Sequence, residues 1–408
     1  MNVGRTYFAW AIAALFYSYQ YVLRVLPANI EPELRGEFQL TAQEFGSMGS
    51  LTIYAYALMQ IPVGILIDRV GVKRVILASL GLCVAGAFLM SVAPDLGALQ
   101  MSRFLIGVGS ASAFTSAVKI AADYLPLGRR GLLIGATLTV GTVGAIVTGT
   151  YLVSWIEMTG WRSLSQSLAI LGLLVIILAV AAIRLKPISA ESRPFKWGEL
   201  WGVFKSRSVM TYAVLAIGVY TPLAVLADLW GPAFLMEKFH LSKIDATSSI
   251  TLLYVGLSIG SLILPPICER YGVLERAIQV STFAILALFT LLLFGPVFSI
   301  ATLQMTLLLI GIFCGSEMIC FTGAVQSTSA LNSGITLGVV NTLNMLGGAM
   351  LQQGIGYVLD WQWTGLVDPS GVRMYSAHQF VVALSLLLSV IALCCVLSLT
   401  LRRKFING

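Results

Sequence analysis

Apolar residues gather along this chain into twelve stretches of roughly 20, the length that carries a helix across a bilayer. They lie near 6–30, 42–66, 73–94, 98–124, 131–156, 163–184, 209–236, 245–267, 276–298, 302–328, 335–359 and 376–400. Strands would show about ten residues each with strict alternation, whereas these stretches are apolar all round. In hydrocarbon a backbone must satisfy its own hydrogen bonds, so the pattern predicts an all-α membrane protein of twelve transmembrane helices.

Composition agrees with the pattern. Of 408 residues, 58% are hydrophobic and 11% charged, with a mean hydropathy of +0.89. A soluble chain has nowhere to hide that much apolar surface. The net charge of +7 reflects basic loops rather than a nucleic-acid partner. With the first residues inside, one face carries 17 Lys and Arg and the other carries 5 (Arg35, Arg162, Lys238, Lys243 and Arg373). That bias places both termini in the cytoplasm. The first run, from about Tyr7 to Pro27, shows no small-residue cleavage site and is expected to stay as the first helix. The six cysteines follow no metal or redox spacing, and no disulfide is expected. His240 and His378 have no partner at metal-ligand spacing. No phosphate loop, HExxH or nucleophile elbow is present, so no catalytic residue, metal or cofactor is assigned.

The longest polar segment, 184–207, divides the chain near its middle. It suggests a first bundle over 1–184, a cytoplasmic linker over 185–208 and a second bundle over 209–408. Within it Trp197, Trp201 and Phe204 fall at i, i+4 and i+7, as a helix lying on the membrane surface requires. The halves also repeat. The loop Gly64–Arg74, read GILIDRVGVKR, returns about 201 residues later as Pro265–Arg276. Asp68 matches Glu269, Arg69 matches Arg270 and Gly71 matches Gly272.

This duplicated loop resembles the signature of the major facilitator superfamily, and the resemblance covers the whole chain. Arg103–Gly109 (RFLIGVG) and Gly160-Trp-Arg162 are similar to further marks of that family. Gly141, Gly144 and Gly149 permit close helix packing, but the proline that marks many drug/proton antiporters there is missing. The resemblance implies two six-helix bundles related by a pseudo-two-fold axis, rocking about a midplane site in a bacterial-type inner membrane. It implies a secondary transporter, working as a monomer on a small-molecule substrate. In that reading Asp68, Arg69, Gly71 and Arg74, with Glu269, Arg270 and Gly272, form the inner gate.

Five ionisable residues fall inside the predicted spans: Arg24, Arg103, Lys119, Asp228 and Glu317. Each is costly against lipid and is expected to face protein or a water-filled cavity. Tyr17, Gln20, Tyr21 and Arg24 share one helix face, a polar stripe ending in a guanidinium, which grips carboxylate or phosphate in a bidentate fork. The stretch is similar to the first helix of organic-anion members, where an arginine contacts substrate; the other reading is an arginine snorkelling to headgroups. Ser112, Thr115, Ser116 and Lys119 repeat the pattern, and Lys119 is either a second substrate cation or the partner of Asp123. For Arg103 the resemblance implies proton transfer or inter-helix bonding.

The second half supplies the acids. Glu317, midway along its helix, suits a proton or an amine, and Asp228 is a second such acid. Tyr56 and Gln60, and Asn341, Asn344 and Gln352, complete the polar lining. Together these features predict a transporter of a small anionic or zwitterionic solute (an organic acid, amino acid or small peptide), taken up with protons. The alternatives are a proton-antiport exporter and a sensor on the same fold.

Overall fold

A computed structural model of the chain describes residues 3–183, 197–296, 299–329 and 332–401, and its named elements are all helices. Residue 184 and residues 185–196 of the expected linker lie outside the described residues. The chain divides into two compact units: Met1–Lys196 with Val367–Arg373, and Trp197–Leu366 with Met374–Gly408.

The first unit holds α1 (Val3–Asn29), α2 (Glu31–Phe38), α3 (Ala42–Val70), α4 (Val72–Val92), α5 (Leu96–Ser110), α6 (Ala113–Tyr124), α7 (Leu127–Val147), α8 (Val153–Thr159) and α9 (Trp161–Ala182). A π-helical turn, Thr148–Leu152, joins α7 to α8. The short α2 falls between two apolar runs, where the sequence pattern predicts only a loop. Proline near its first turn and Glu31 paired with Arg35 at 2.9 Å account for it. Arg162 gathers neighbouring elements. It meets Glu37 of α2 at 2.6 Å and donates to the Ser91 and Ala93 carbonyls at and just beyond the end of α4. Arg35 donates to the Arg373 carbonyl, which fixes Val367–Arg373 within this unit.

The second unit holds α10 (Trp197–Lys205), α11 (Arg207–Pro222), α12 (Gly231–Phe239), α13 (Lys243–Tyr271), α14 (Leu274–Phe294), α15 (Ile300–Cys314), α16 (Glu317–Gln326), α17 (Ser333–Trp361) and α18 (Ala377–Ser398). An eight-residue π-helical segment, Leu223–Trp230, joins α11 to α12. The stretch around Trp197, Trp201 and Phe204 is helical, as α10, with Trp201 63% exposed.

Eleven helices or joined pairs among the described residues are long and apolar enough to cross a membrane. α1 makes the twelfth long helix. Its 27 residues span about 40 Å at 1.5 Å each, and its polar stripe lowers its hydropathy.

Two expected spans are broken rather than continuous. The span 98–124 breaks at Ala111-Ser112 into α5 and α6, and 302–328 breaks at Gly315-Ser316 into α15 and α16. The breaks are 204 residues apart, so the internal repeat extends to a helix interruption that hydropathy does not register. The same offset relates Gly107, whose Cα faces the Thr52 carbonyl, to Gly311, which faces the Leu253 carbonyl. It also relates Arg24 to Asp228, a cation in one repeat and an acid in the other.

Candidate functional site

Each unit holds its own buried polar cluster. In the first, α1 carries Pro27 two residues before its end. Proline lacks an N–H, so the Leu23 carbonyl one turn earlier loses its helical donor. Arg103 of α5, 1% exposed, replaces it: Nη1 donates to the Leu23 oxygen at 2.7 Å and Nη2 to the Arg24 oxygen at 3.0 Å. Of the two roles implied for Arg103, the structure shows inter-helix bonding. The bond fixes the turn of backbone from which Arg24 projects.

Arg24 is 8% exposed, with its guanidinium carbon 5.6 Å from the centre of the Tyr21 ring. Tyr21 packs edge-on against Tyr17 at 5.2 Å, and Tyr17 against Phe114 of α6 at 5.3 Å. Gln20 is buried on the same helix. The predicted stripe therefore forms one buried group, continued by α6. Ser112, at the break, and Ser116 there are fully buried, and their hydroxyl oxygens have no hydrogen-bond partner among the described residues. Gln60 of α3 donates at 3.4 Å to the Ala111 carbonyl, at the break where the helical ladder is interrupted. Tyr56 lies half-buried on the same helix.

Of the two readings of Lys119, the structure shows the ion pair. Its ammonium lies 3.0 Å from Asp123 and 3.1 Å from Asp68. The lysine is thereby tied to the loop motif rather than to the Arg24 group. The loop glycines have a backbone reason: Gly71 sits at φ +88° and Gly272 at φ +61°, where side chains are strained. Asp68, Arg69, Arg74, Glu269 and Arg270 are exposed within their units.

In the second unit Glu317 opens α16, directly after the break, and is 5% exposed. Asn344 of α17, fully buried, donates to its carboxyl at 2.5 Å. Asp228 lies in the π-helical segment and accepts from the Tyr254 hydroxyl of α13. A π-helical stretch displaces backbone carbonyls from the usual ladder. Gln352 of α17 donates to one of them, Ala224, at 2.6 Å, while Trp230 returns a bond to the Gln352 carbonyl at 2.9 Å. Asn341 is half-buried one turn before Asn344. The pairing of Glu317 with Asn344 joins helices across 27 residues of sequence, and no periodicity within either stretch announces it.

This architecture has known counterparts. The chain is 28% identical over 151 residues to a probable sulfoacetate transporter of Cupriavidus necator, covering 37% of this chain and 35% of that one. It is 25% identical over 351 residues to the gentisate transporter of Corynebacterium glutamicum, covering 83% and 78%. Over the first three curated relatives it spans less than half of their length. A solved structure with the same fold is a bacterial homologue of the human lysosomal transporter Spinster, in an inward-facing and unoccupied conformation. It has a TM-score of 0.76 at 16% identity, over 97% of both chains. Residues 7–351 match the family model of the Major Facilitator Superfamily, and the chain belongs to that superfamily of multi-pass membrane transporters.

Proposed function

We propose that this transporter carries a small anionic or zwitterionic organic solute into the cell with protons, as a monomer in a bacterial inner membrane with both termini cytoplasmic. The observation that carries the reading is Arg24, a guanidinium 8% exposed on a buried aromatic and amide stripe. A cation at membrane depth marks a substrate or ion path by default. A guanidinium suits the planar fork of a carboxylate or sulfonate. Tyr17, Gln20 and Tyr21 line the same group. The named solutes of two relatives, sulfoacetate and gentisate, are organic anions. Glu317 and Asp228 are the candidate proton or amine sites. Asp68, Arg69, Gly71 and Arg74, with Glu269, Arg270 and Gly272, are the candidate inner gate, and Lys119 joins that gate through Asp68.

The test is uptake of labelled gentisate and sulfoacetate into proteoliposomes, with a neutral sugar and an amine as controls. The expected result is saturable accumulation of an anion under an inside-alkaline gradient. Arg24→Ala should weaken binding by about 1.5–3 kcal/mol, roughly tenfold to over a hundredfold, with Arg24→Lys between. Glu317→Gln should abolish gradient-driven accumulation and spare exchange. Equal anion binding by Arg24→Ala, or movement of the controls alone, overturns the reading.

A further inference from the structure

Gln352 bonds the π-helical segment near both of its ends. Its Nε2 donates to the carbonyl of Ala224, the second residue of Leu223–Trp230, at 2.6 Å. Its own main-chain carbonyl accepts from the indole N–H of Trp230, the last residue, at 2.9 Å. All eight residues of the segment are buried, and Gln352 is 1% exposed. A residue read from the sequence as part of a polar lining is therefore taken up by the packing of α17 against the segment.

The sequence around the segment keeps it out of the ordinary ladder. Pro222 ends α11, and Pro232 follows Trp230 by two residues. Neither has an N–H to give, so the carbonyl one turn before each loses its α-helical donor. Between them Gly231 bonds five residues back, its N–H meeting the Leu226 carbonyl. A Cβ on Gly231 would lie 2.4 Å from that same oxygen, so this register takes glycine.

The register decides where Asp228 points. Each π bond spans one residue more than an α bond. Passing that residue on and returning to the α ladder turns the chain by about 100°, one residue of a 3.6-residue turn. Asp228 lies inside the segment, and its carboxyl accepts from the Tyr254 hydroxyl of α13. A turn of that size carries the carboxyl off the hydroxyl.

Stability alone does not account for an amide at this place. The Oε1 of Gln352 is buried and has no hydrogen-bond partner among the described residues. A buried acceptor left unpaired is destabilising, and an apolar side chain of the same length avoids that cost. What the amide adds is the donor to Ala224. Close packing brings that donor into reach. Gly348 lies one turn before Gln352 on α17, and a Cβ on it would lie 2.8 Å from the Ala224 Cβ.

We propose that Gln352 is a positioning residue: by clamping Ala224 and Trp230 it holds the segment in its π register and so keeps the Asp228 carboxyl on Tyr254. This role rests on the reading of Asp228 as a proton or amine site, through which Gln352 acts. Gln352 thereby leaves the solute lining and becomes part of the support beneath that site.

The Trp230 bond goes to the main chain of residue 352, so it survives a substitution there unless the register changes. In protein labelled with 15N-indole tryptophan, the Trp230 signal is found among the eight tryptophans by its absence in Trp230→Phe. Gln352→Met keeps the length and loses the donor, and should shift this signal toward the position of an unbonded indole. Gly348→Ala leaves the amide in place and pushes Ala224 away. It should shift the signal in the same direction, and it serves as the readout if the methionine variant does not fold. Uptake of labelled gentisate and sulfoacetate by the reconstituted protein is the second measurement. Gln352→Met should lower it roughly two- to tenfold, as for one lost neutral hydrogen bond. In an Asp228→Asn background the same change should cost less than about twofold more, because the group it positions is already gone. A residue that only supports packing would lower the melting temperature, and its loss would multiply with that of Asp228→Asn. A Trp230 signal that stays in place in both variants, or losses that multiply, overturns the role of Gln352 alone. Uptake by Asp228→Asn equal to wild type overturns the reading of Asp228 and this inference with it.

Discussion

Arg103 gives the Leu23 carbonyl the hydrogen bond that Pro27 cannot give. Arg103 and Leu23 lie 80 positions apart on α5 and α1, and the guanidinium reaches the oxygen at 2.7 Å. A proline one turn downstream removes the donor and crowds the carbonyl, which turns outward. In a membrane-spanning segment water is not available to take it, so another helix must. The second nitrogen bonds the next carbonyl, that of Arg24. Arginine suits this place better than lysine because its fork reaches two adjacent oxygens at once.

Restoring the missing backbone donor should therefore lessen the need for Arg103. Arg103→Ala is expected to cost about 1–3 kcal/mol, the penalty for a desolvated carbonyl. In a Pro27→Ala background, where residue 27 regains its N–H, the cost should fall by roughly half, since the Arg24 oxygen still loses its partner. Thermal unfolding of the four proteins in detergent forms the cycle. Strict additivity would show that Arg103 does not answer to Pro27.

Much of this fold can be read from hydropathy and the duplicated loop, because membrane spans announce themselves by length and apolarity. The breaks at Ala111-Ser112 and Gly315-Ser316 cannot, since each interrupted helix stays apolar through its break. The polar stripe Tyr17, Gln20, Tyr21 and Arg24 follows helical spacing and is legible for that reason. Pairings between helices follow no such spacing. Lys119 illustrates the limit: periodicity aligns it with Ser112, Thr115 and Ser116, and only the packing of α6 beside the end of α3 shows Asp68 competing for it. Arg103 is similar, for its partner is a main-chain oxygen that carries no residue signature.

Lys119 should matter to the loop and not to the solute. Its side chain is 36% exposed and that of Asp68 51%, so water screens the pair and each bond contributes at most about 1 kcal/mol. Lys119→Met should lower the melting temperature slightly and raise the labelling rate of a cysteine placed at Val70. Affinity for a transported anion should stay within about twofold of wild type. A loss of affinity as large as that of Arg24→Ala would return Lys119 to the binding group.

The loop Val367–Arg373 has a built-in acid sensitivity. The Asp368 carboxylate accepts from the Ser370 hydroxyl at 2.7 Å, and from the backbone N–H groups of Ser370 and Val372 at 2.8 and 2.9 Å. The Ser370 hydroxyl foremost, then the Val372 amide, hold its pKa below the usual carboxylate value. A depressed pKa means the loop is stabilised above the unfolded value, about 3.9, and loses that stabilisation as pH falls through the lower folded value. Hydrogen exchange at the Val372 amide should be slow at neutral pH and accelerate, beyond its intrinsic pH dependence, only below about pH 4. Asp368→Asn should remove this step, and an unchanged step in that variant would place the titrating group elsewhere.

Gly144 sets how closely α1 and α7 approach, and through that contact it supports the solute face. A Cβ built on it would lie 2.0 Å from the Ser18 carbonyl oxygen and 2.8 Å from the carbonyl carbon, where ordinary contact begins near 3.4 Å. The obstruction is backbone, so no side-chain rotation relieves it and the two helices must part. Overpacking of this kind costs about 1–3 kcal/mol. One turn earlier Gly141 packs closely against the Tyr17 ring, so parting the helices also shifts the stripe that carries Arg24. Gly144→Ala should therefore lower both melting temperature and anion affinity. Gly64 is the control: it sits inside α3, and apart from its own helix backbone and chain neighbours no atom lies within 4 Å of the place a methyl group would take there. Gly64→Ala should be neutral or stabilising by up to about 1 kcal/mol. Parallel melts and binding curves of the two variants decide the matter. If Gly144→Ala behaves as Gly64→Ala does, the close approach of α1 and α7 does not hold the binding face in place.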